Sequence, residues 1–453
     1  MRIHLIAIGG SAMHNLAIAL HTMGNIVTGS DDEVFEPSKS RLEKHGLLPS
    51  YRGWNQDVIT SNIDAIILGM HARKDNPELV KATKLGLKIY SYPEYFYEQT
   101  KDKTRVVVGG SHGKTTITSM IMHVLKYCGY QFDYLVGSQV EGFETMVGLS
   151  SSSKIAVVEG DEYLASPLDP RPKFHLYKPH VAIISGIAWD HINVFPTIEE
   201  YVKQFEIFGQ CIKKGGSLIY YEGDTYINKV LEVLPSEIEK IPYMAHDSVI
   251  KEGTTALKTS ANQIIEIPVF GEHNLQNINA AKLACNKLDV GDSDFYSAIS
   301  SFTGAKKRLE VLKQNDNTCI FLDFAHSPSK LMATTKAVKE QHPDRKLIAC
   351  MELHTFSSLN ATFLATYKDT MKYADVAIVY FNPETIKHKR LYMITPEQVK
   401  AAFGDHSNLN VFTDNESLLK EIDMQELTGK NLLLMSSGNF SGINFKSLAD
   451  DLI

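Results

Sequence analysis

The chain has 453 residues, of which 43% are hydrophobic and 22% charged, and this composition excludes a mainly disordered protein. At roughly 150 residues per domain, the length predicts about three domains. The 46 Lys and Arg residues against 53 Asp and Glu give a net charge of −7, which argues against a broad basic surface for nucleic acid but not against a local phosphate pocket.

The first hundred residues alternate short apolar strands with helical patterns, which is typical of a parallel α/β sheet. We predict a strand over residues 3–8, a glycine turn, a helix over 12–23 and a strand over 25–29. The turn lacks the full GxGxxG spacing of a dinucleotide site, although an aspartate follows about 20 residues later. We therefore predict a Rossmann-like domain over residues 1–100 that holds a nucleotide diphosphate. Its predicted substrate residues are Gly9, Gly10, Ser11, Met13, Ser30 and Asp31.

The second segment, residues 101–301, opens with the strongest local signal. A polar linker over 98–104 and a strand over 105–108 precede a glycine-rich loop and an apolar helix that extends to Tyr127. The loop is Gly110, Ser111, His112, Gly113, Lys114, Thr115 and Thr116. Glycine N–H groups and a helix N-terminus cradle phosphates, a lysine adds charge and a threonine hydroxyl binds Mg²⁺. Val108 stands where the strict pattern has glycine, so we predict a shortened P-loop in an ATPase-type domain, with Lys114 solvated.

Two acidic motifs follow strands in this segment. Glu159-Gly-Asp-Glu162 comes directly after a strand over 155–158, and Asp190-His191 follows a strand over 181–185. Parallel sheets bind ligands at the carboxyl ends of their strands, where carboxylates could hold a hard cation. A solvated acidic turn and a structural histidine are the alternatives.

Amide and basic side chains come next in the chain. The motif that contains His273, Asn274 and Asn277 precedes an apolar run and looks like a helix start, where an amide could bind an adenine edge or cap the helix. Lys306-Lys307-Arg308 lies in a predicted hinge. This run is either a phosphate clamp or a solvated basic stretch.

The third segment, residues 302–453, predicts a second Rossmann-like domain. Its predicted strands cover 319–323, 347–350, 376–380 and 432–435. Asp323 and His326 end the first of them and could bond a ribose or position a reacting group, with a capped turn as the alternative. The predicted fold is therefore α/β with three domains.

Cysteine spacing and apolar runs limit the cellular setting. The five cysteines form no CxxC pair, which supports neither a disulfide framework nor a cysteine zinc site. No apolar run approaches the roughly 18 residues that a membrane span needs. We expect a cytoplasmic protein with no membrane or nucleic-acid partner, and the sequence leaves the oligomeric state open.

Nine short motifs, taken in order, resemble the Mur ligase family of peptidoglycan synthesis over essentially the whole chain. They are IGGSAM, GSDD, DNPE, GSHGKTT, EGDE, DH, HNLQN, KKRLE and DFAHSP. The resemblance implies a cytoplasmic ADP-forming ligase that uses ATP and Mg²⁺, with a UDP-sugar domain, an ATP domain and an acceptor domain in that order. It implies that an acyl phosphate forms on UDP-N-acetylmuramate and that an amine then attacks it.

The resemblance also implies roles at the matching positions. Lys114 binds phosphate, Thr115 and Glu159 bind a first Mg²⁺, and His191 binds a second. The remaining implied roles are adenine binding by His273, Asn274 and Asn277, closure over ATP by Arg308 and Asp323, steering of the amine by His326 and substrate binding by Asn76. No lysine suited to carry a carbamate is identifiable, and His326-Ser327 replaces a common His-His pair.

Within the family, the motifs are most similar to the branch that acts directly on UDP-N-acetylmuramate. Glu162-Tyr163, residues 169–174 with Arg171, and residues 435–443 resemble recycling enzymes that add the tripeptide L-Ala-γ-D-Glu-meso-diaminopimelate. Residues 353–358, with His354, replace the arginine-bearing motif of the L-alanine-adding ligases. We therefore predict tripeptide as acceptor and Arg171 and His354 as substrate residues. L-alanine is the alternative, and lysine could replace diaminopimelate.

Two other classes of function remain open at this point. The Gly9-Gly10 turn and Asp31 could belong to a dinucleotide-dependent oxidoreductase, which leaves the loop around Lys114 without a role. A non-catalytic module that binds a UDP-sugar is the third interpretation. Substrate-dependent ADP formation would separate a ligase from both.

Overall fold

A computed structural model describes residues 1–251, 253–404 and 407–453, whose strands form four sheets. The first sheet is parallel, in the order β2-β1-β3-β4. β3 has the sequence AIIL and is buried throughout, because helices cover both faces of a parallel sheet. The elements are β1 (Arg2–Ile6), α1 (Ser11–Thr22), β2 (Ile26–Ser30), α2 (Ser38–Lys44), β3 (Ala65–Leu68), α3 (Pro77–Lys84), β4 (Ile89–Ser91) and α4 (Tyr92–Thr100).

The second sheet has seven strands in the order β11-β10-β9-β5-β8-β6-β7. Central β5 contributes three fully buried valines, as expected for a strand covered on both faces. Only β7 pairs antiparallel among the described strands of this sheet. The elements are β5 (Thr104–Gly109), α5 (Lys114–Tyr127), β6 (Phe132–Leu135), β7 (Val147–Gly148), β8 (Ile155–Glu159), α6 (Lys173–Leu176), β9 (Val181–Ile184), α7 (Ile198–Gln210), β10 (Ser217–Tyr221), α8 (Ile227–Val233) and β11 (Glu239–Tyr243).

A small antiparallel sheet and two helices complete the middle of the chain. The sheet consists of β12 (Ser248–Lys251), β13 (Thr254–Lys258) and β14 (Ile264–Ile267), and the helices are α9 (Glu272–Asn286) and α10 (Asp292–Ile299). Both helices pack against α5. The start of α9 is thereby held beside the start of α5, where the glycine-rich loop lies.

The last sheet has the order β15-β16-β20-β17-β18-β19, with β15 antiparallel and the rest parallel. Its strand β17 is buried over six of seven residues. The elements are β15 (Glu310–Gln314), β16 (Cys319–Asp323), α11 (Pro328–Gln341), β17 (Lys346–Glu352), α12 (Ala361–Leu364), β18 (Val376–Tyr380), α13 (Pro383–His388), α14 (Pro396–Phe403), β19 (Leu409–Phe412), α15 (Asn415–Met424), β20 (Lys430–Met435) and α16 (Phe445–Leu452).

The predicted α/β class is confirmed, and the structure corrects two details. The sheets are mixed rather than wholly parallel, because β7, β12 to β14 and β15 pair antiparallel. The predicted linker over 98–104 is wrong at both ends, since its start belongs to α4 and Thr104 begins β5. No sheet of the described residues crosses the predicted boundaries after residues 100 and 301, which remain predictions. Every described helix is too short or too polar to cross a membrane.

Candidate active site

The loop between β5 and α5 depends on two glycines with positive φ. Gly110 (φ +124°) passes so close to Ser185 that a Cβ atom would collide with its hydroxyl and backbone, and Gly113 (φ +70°) faces Asn277 with as little room. Glycine alone adopts such angles without steric cost. The loop therefore keeps its backbone open at the N-terminus of α5, as a phosphate-binding loop requires.

This loop lines a cavity of about 510 Å³ between the second and last sheets. The cavity gathers nearly all residues that the sequence assigned to catalysis, nucleotide and metal. They are Ser111, His112, Gly113, Lys114, Thr115, Thr116, Glu159, His191, His273, Asn274, Asn277, Arg308, Asp323 and His326. Gly110 lies directly behind this wall, in the same loop. The structure thus brings together side chains that are up to about two hundred residues apart in sequence; their individual roles remain predictions.

Lys114 is buried at the cavity wall, so the prediction of a solvated side chain is wrong. Its side chain is 15% exposed, and its Nζ donates to Glu162 Oε2 at 2.6 Å and to the Gly110 carbonyl at 2.7 Å. Burial alone would lower the pKa of Lys114, but the carboxylates of Glu162 and Asp161 outweigh burial and raise it. A phosphate that binds Lys114 therefore competes with a carboxylate already in place.

Glu162 belongs to the predicted acidic motif, but its ion pair with Lys114 was not predicted from the sequence. It is 1% exposed and also accepts a hydrogen bond from Tyr201 at 3.1 Å. Burial would raise the pKa of Glu162, yet Lys114 and His191 hold it well below its usual range. Glu162 ends the EGDE motif, so the motif carried the signal, but sequence alone gives no distance between it and Lys114.

Thr115 and Glu159 meet beside the phosphate loop. The Thr115 hydroxyl donates to Glu159 Oε1 at 2.8 Å, and the Gly137 N–H donates to Oε2 at 2.6 Å. Burial raises the pKa of Glu159, against the opposing hydrogen bond of Gly137. A hydroxyl and a carboxylate are oxygen ligands of the kind that Mg²⁺ prefers, so these two side chains fit a magnesium ion.

His191 lies beside a different pair of carboxylates. Its Nε2 is 3.5 Å from Glu162 Oε1, and one ligand atom from each of Asp161, Glu162 and His191 lies within 4.8 Å of the others. Burial would lower the pKa of His191, but Glu162 raises it. This set also fits a divalent cation. The sequence prediction gave His191 a second Mg²⁺ without naming these two acidic neighbours.

The predicted helix start is confirmed, since the first turns of α9 contain His273, Asn274 and Asn277. The Asn274 amide donates to the Phe270 carbonyl at 2.9 Å. His273 Nδ1 is buried and has no hydrogen-bond partner within the described chain, and burial lowers the pKa of His273 to about 4. A neutral ring nitrogen and two amides match the donors and acceptors of a base edge.

The last domain contributes Arg308 and Asp323 to the opposite wall. The Arg308 guanidinium lies 4.6 Å from the centroid of the Phe324 ring. Asp323 accepts the N–H groups of Leu309 and Ala325, both at 2.7 Å, and burial raises its pKa. These hydrogen bonds of Asp323 hold the segment that contains Arg308 against the end of β16.

The cavity is also lined by His326 and by two charged residues, Asp190 and Lys330. His326 Nδ1 lies 2.7 Å from the Phe324 carbonyl, and its Nε2 lies 4.0 Å from Asp190. Burial would raise the pKa of Asp190, but Lys330 and His191 hold it well below its usual range. Asp190 stands in the DH motif, whereas no motif marks Lys330, because a lone lysine in a helical pattern is typical of a solvated face.

The predicted substrate residues of the first domain form a separate turn at the carboxyl ends of β1 and β2. The Gly9 N–H donates to Asp31 Oδ2 at 2.6 Å, and burial raises the pKa of Asp31 to about 6. Asn76 instead caps α3 by accepting the N–H of Glu78 at 2.9 Å. Glu78 in turn accepts a hydrogen bond from the Ser30 hydroxyl. Asn76 is therefore connected to the turn through Glu78.

The loop over residues 136–146, between β6 and β7, connects this turn with the cavity. At its start the Gly137 N–H bonds Glu159, as described above. At its end the Met146 N–H donates to Asn15 Oδ1 at 2.9 Å, and Met146 Sδ lies 3.9 Å from the Ser11 hydroxyl. One loop thus contacts both the first-domain turn and the carboxylate proposed for Mg²⁺.

Arg171 does not line the cavity. It is more than half exposed, and its guanidinium pairs with Asp169 at 2.7 Å and with Glu94 of α4 at 3.3 Å. The structure therefore places this predicted substrate residue at the junction of the first two domains, engaged with carboxylates of the chain itself.

His354 lies two residues after the end of β17 and is not itself among the residues that line the cavity. Its Nδ1 lies 3.6 Å from Oε1 of buried Glu352, and the adjacent Thr355 lines the cavity. Phe356, two residues after His354, is exposed, and the Lys389 ammonium lies 4.3 Å from its ring centroid. Lys389, which directly follows α13, thereby packs on the segment that contains His354.

Three family descriptions match successive parts of the chain: "Mur ligase family, catalytic domain" over residues 2–104, "Mur ligase middle domain" over 108–285 and "Mur ligase, glutamate ligase domain" over 307–438. The UDP-N-acetylmuramate–L-alanyl-γ-D-glutamyl-meso-2,6-diaminoheptandioate ligase of Escherichia coli K12 is 27% identical over 462 residues, which cover 99% of the chain and 98% of the relative. The UDP-N-acetylmuramate–L-alanine ligase of Caldicellulosiruptor bescii is 30% identical over 408 residues, with coverage of 87% and 86%. The solved UDP-N-acetylmuramate–alanine ligase of Thermotoga maritima shares the fold, with a TM-score of 0.71, 20% identity and coverage of 100% and 98%.

Proposed function

Because the chain belongs to the Mur ligase family, whose members are ATP-dependent, ADP-forming amide ligases, we propose that it joins L-Ala-γ-D-Glu-meso-diaminopimelate to UDP-N-acetylmuramate. Membership of this family shows that the two other interpretations, an oxidoreductase and a non-catalytic binding module, are wrong. Relatives named for the tripeptide and for L-alanine are similar to this chain to comparable extents. The choice of acceptor therefore rests on the residues of this chain.

The proposed reaction has two steps. The lactyl carboxylate of UDP-N-acetylmuramate attacks the γ-phosphorus of ATP, and the bond from that phosphorus to the departing ADP oxygen breaks. The acceptor amine then attacks the acyl carbon, a C–N bond forms, and inorganic phosphate leaves while the amine loses a proton. A carboxylate is a poor electrophile, so the first step activates it; the protein positions the reactants and neutralises their charge.

The cavity residues divide this work among them. Lys114 and Arg308 neutralise the phosphates, and His273, Asn274 and Asn277 hold the base. Thr115 with Glu159, and His191 with Asp161 and Glu162, supply ligands suited to divalent cations, and bound Mg²⁺ neutralises phosphate charge. His326 is neutral, since burial lowers its pKa to about 3. Its free ring nitrogen can therefore accept a hydrogen bond from the acceptor amine and orient it, whereas a base of such low pKa does not hold a proton at neutral pH.

The observation that favours the tripeptide is a basic residue packed on the segment that contains His354. The tripeptide brings several carboxylates, whereas L-alanine brings one. Lys389 packs on Phe356, two residues from His354, and is followed by Arg390, and we assign these cationic groups to the distal end of the acceptor. Charged donors suit carboxylates at the distal end of a longer acceptor.

The acceptor is tested by comparing kcat/KM for the two candidates. With saturating ATP and UDP-N-acetylmuramate, phosphate release should give a kcat/KM for the tripeptide at least about 100-fold above that for L-alanine. The reason is that polar groups built for the longer ligand stay unpaired around alanine. An equal or higher value for L-alanine would assign the protein to the L-alanine-adding ligases.

Replacing Lys389 with Met tests whether its ammonium binds the tripeptide. We expect KM for the tripeptide to rise about tenfold, the effect of losing one charge-assisted hydrogen bond, while KM for ATP stays the same. Lys387→Met is the matched control, because its exposed ammonium pairs with Glu384 at 2.6 Å on α13. Equal effects of the two substitutions on the tripeptide KM would contradict a specific role for Lys389.

A further inference from the structure

The helix α11 begins at the cavity with an unfavourable distribution of charge. Its first three residues are Pro328, Ser329 and Lys330, its first turn contains no acidic residue, and Ser327 makes no capping hydrogen bond through its side chain. The N-terminus of a helix carries partial positive charge, which a bound anion complements and a lysine opposes. A lysine in this position lowers the stability of the empty site.

The ammonium group of Lys330 is also unpaired. It forms neither a hydrogen bond nor an ion pair with any residue in the parts of the chain that the structure describes, although its side chain lines the cavity. Lys114, in contrast, is bound to Glu162. Burial lowers the pKa of Lys330, against the opposing charge of Asp190. A charge in a confined cavity without a counter-charge is costly, and a bound anion would relieve that cost.

A second polar group at this helix end has no partner. Ser327 is 7% exposed, and its hydroxyl oxygen is buried without a hydrogen bond within the described residues. Ser329, two residues on, lies with its hydroxyl 3.0 Å from His112 Nε2. This contact ties the start of α11 to the phosphate loop. Buried polar groups are normally paired. The unpaired Ser327 hydroxyl and the unpaired Lys330 ammonium, of which the latter lines the cavity, leave this helix end with two polar groups that are unsatisfied within the described residues, and this points to a ligand.

We propose that Lys330 and the N-terminus of α11 bind the γ-phosphoryl group of ATP, and hold it in the acyl phosphate, from the side opposite Lys114. The inference rests on the proposed position of the ATP phosphates at Lys114. The charges that act on Lys330 are Asp190, Lys114, Arg308 and Glu162, which surround the phosphate loop rather than the proposed adenine site at His273.

Lys330 acts here as a charge and not as a proton donor. As the carboxylate oxygen bonds to the γ-phosphorus and the bond to ADP breaks, the ammonium keeps its protons and neutralises the phosphoryl oxygens. Lys114 occupies one side of that group and the last domain supplies Lys330 on the other. The phosphoryl group is thereby bound by both domains during transfer.

The test compares two nucleotides that differ in the γ-phosphate. Binding of ADP and of the non-hydrolysable analogue AMP-PNP is measured by titration calorimetry on the full chain with Mg²⁺. For Lys330→Met we expect Kd for AMP-PNP to rise about 10- to 100-fold and Kd for ADP to stay within twofold. Lys330→Arg should recover most of the lost affinity. Lys339→Met, on the same helix and paired with Asp375, should change neither value.

A second measurement separates a functional lysine from a structural one. Without nucleotide, Lys330→Met should raise Tm by about 2 °C, because it removes an unpaired charge from a helix N-terminus. A lower Tm, an unchanged AMP-PNP affinity, or equal losses for both nucleotides would overturn the proposal. If the unmodified protein bound neither nucleotide, the proposed phosphate site itself would be wrong, which differs from binding that Lys330→Met leaves unchanged.

Discussion

Replacing Lys114 with Met is expected to lower kcat for ADP formation by about 10³-fold or more. The ammonium is the only lysine charge inside the phosphate loop, and preorganised charge at a transferring phosphoryl group contributes on this scale. ADP release with all substrates present measures the effect. Lys203→Met on α7, where the lysine is exposed and paired with Glu206, is the control and should keep turnover within twofold.

The same substitution should also destabilise the fold, because it leaves Glu162 charged and buried. Breaking one side of a buried ion pair lowers the free energy of unfolding by about 3 kcal/mol or more. Combining Lys114→Met with Glu162→Gln should recover stability but not turnover, which separates the two effects. Denaturant unfolding measures the stability, and ADP release measures the turnover. Near-normal turnover of Lys114→Met would show that the phosphate-loop assignment is wrong.

Lowering the pH from 7 to about 4.5 is expected to destabilise the protein steeply. Burial lowers the pKa of His112 and His326 to about 3 and that of His273 to about 4, whereas an unfolded histidine titrates near pH 6.5. As the pH falls below about 6.5, the unfolded chain binds protons that the folded chain does not, so the unfolding free energy falls. Three such groups contribute a slope approaching about 4 kcal/mol per pH unit.

Denaturant unfolding at a series of pH values measures that slope, and His326→Asn isolates one histidine. Carboxyls whose pKa is raised by burial, such as Asp31 and Asp323, act in the opposite direction and reduce the total. Subtracting the slope of His326→Asn from that of the unmodified protein cancels the contributions of these carboxyls. The slope for His326→Asn should be smaller by about 1.4 kcal/mol per pH unit between pH 6 and 4.5. Parallel slopes would show that His326 is not held neutral by burial.

The sequence predicted those parts of the fold whose physical cause is local. Buried parallel strands are continuous apolar runs, which is why the bounds predicted for β16 and β18 agree with the structure. The strands β12 to β14 were missed because each is only four or five residues long and mixes apolar with polar side chains, and because most residues of β12 and β14 are at least partly exposed. Their order comes from antiparallel pairing between neighbours, which leaves only a weak sequence pattern.

Most residues of the site could be predicted from the sequence, but the charge interactions among them could not. Glycine spacing marks the phosphate loop because only certain backbone angles allow the turn. The bond between Lys114 and Glu162 joins residues 48 apart, and no sequence spacing reports such a distance. Lys330 was not predicted for a related reason. Its proposed role follows from the absence of a hydrogen bond or ion pair to its ammonium within the described residues, and a sequence does not show such an absence.

The loop over residues 136–146 has a consequence for the affinities of the two ligands. Its two ends contact Glu159 and Asn15, so a shift that one ligand imposes on the loop reaches the residues proposed for the other. Thermodynamic linkage makes any such effect mutual: the factor by which bound UDP-sugar changes the affinity for nucleotide equals the factor by which nucleotide changes the affinity for UDP-sugar. Whichever ligand binds first therefore changes the affinity for the second by the same factor.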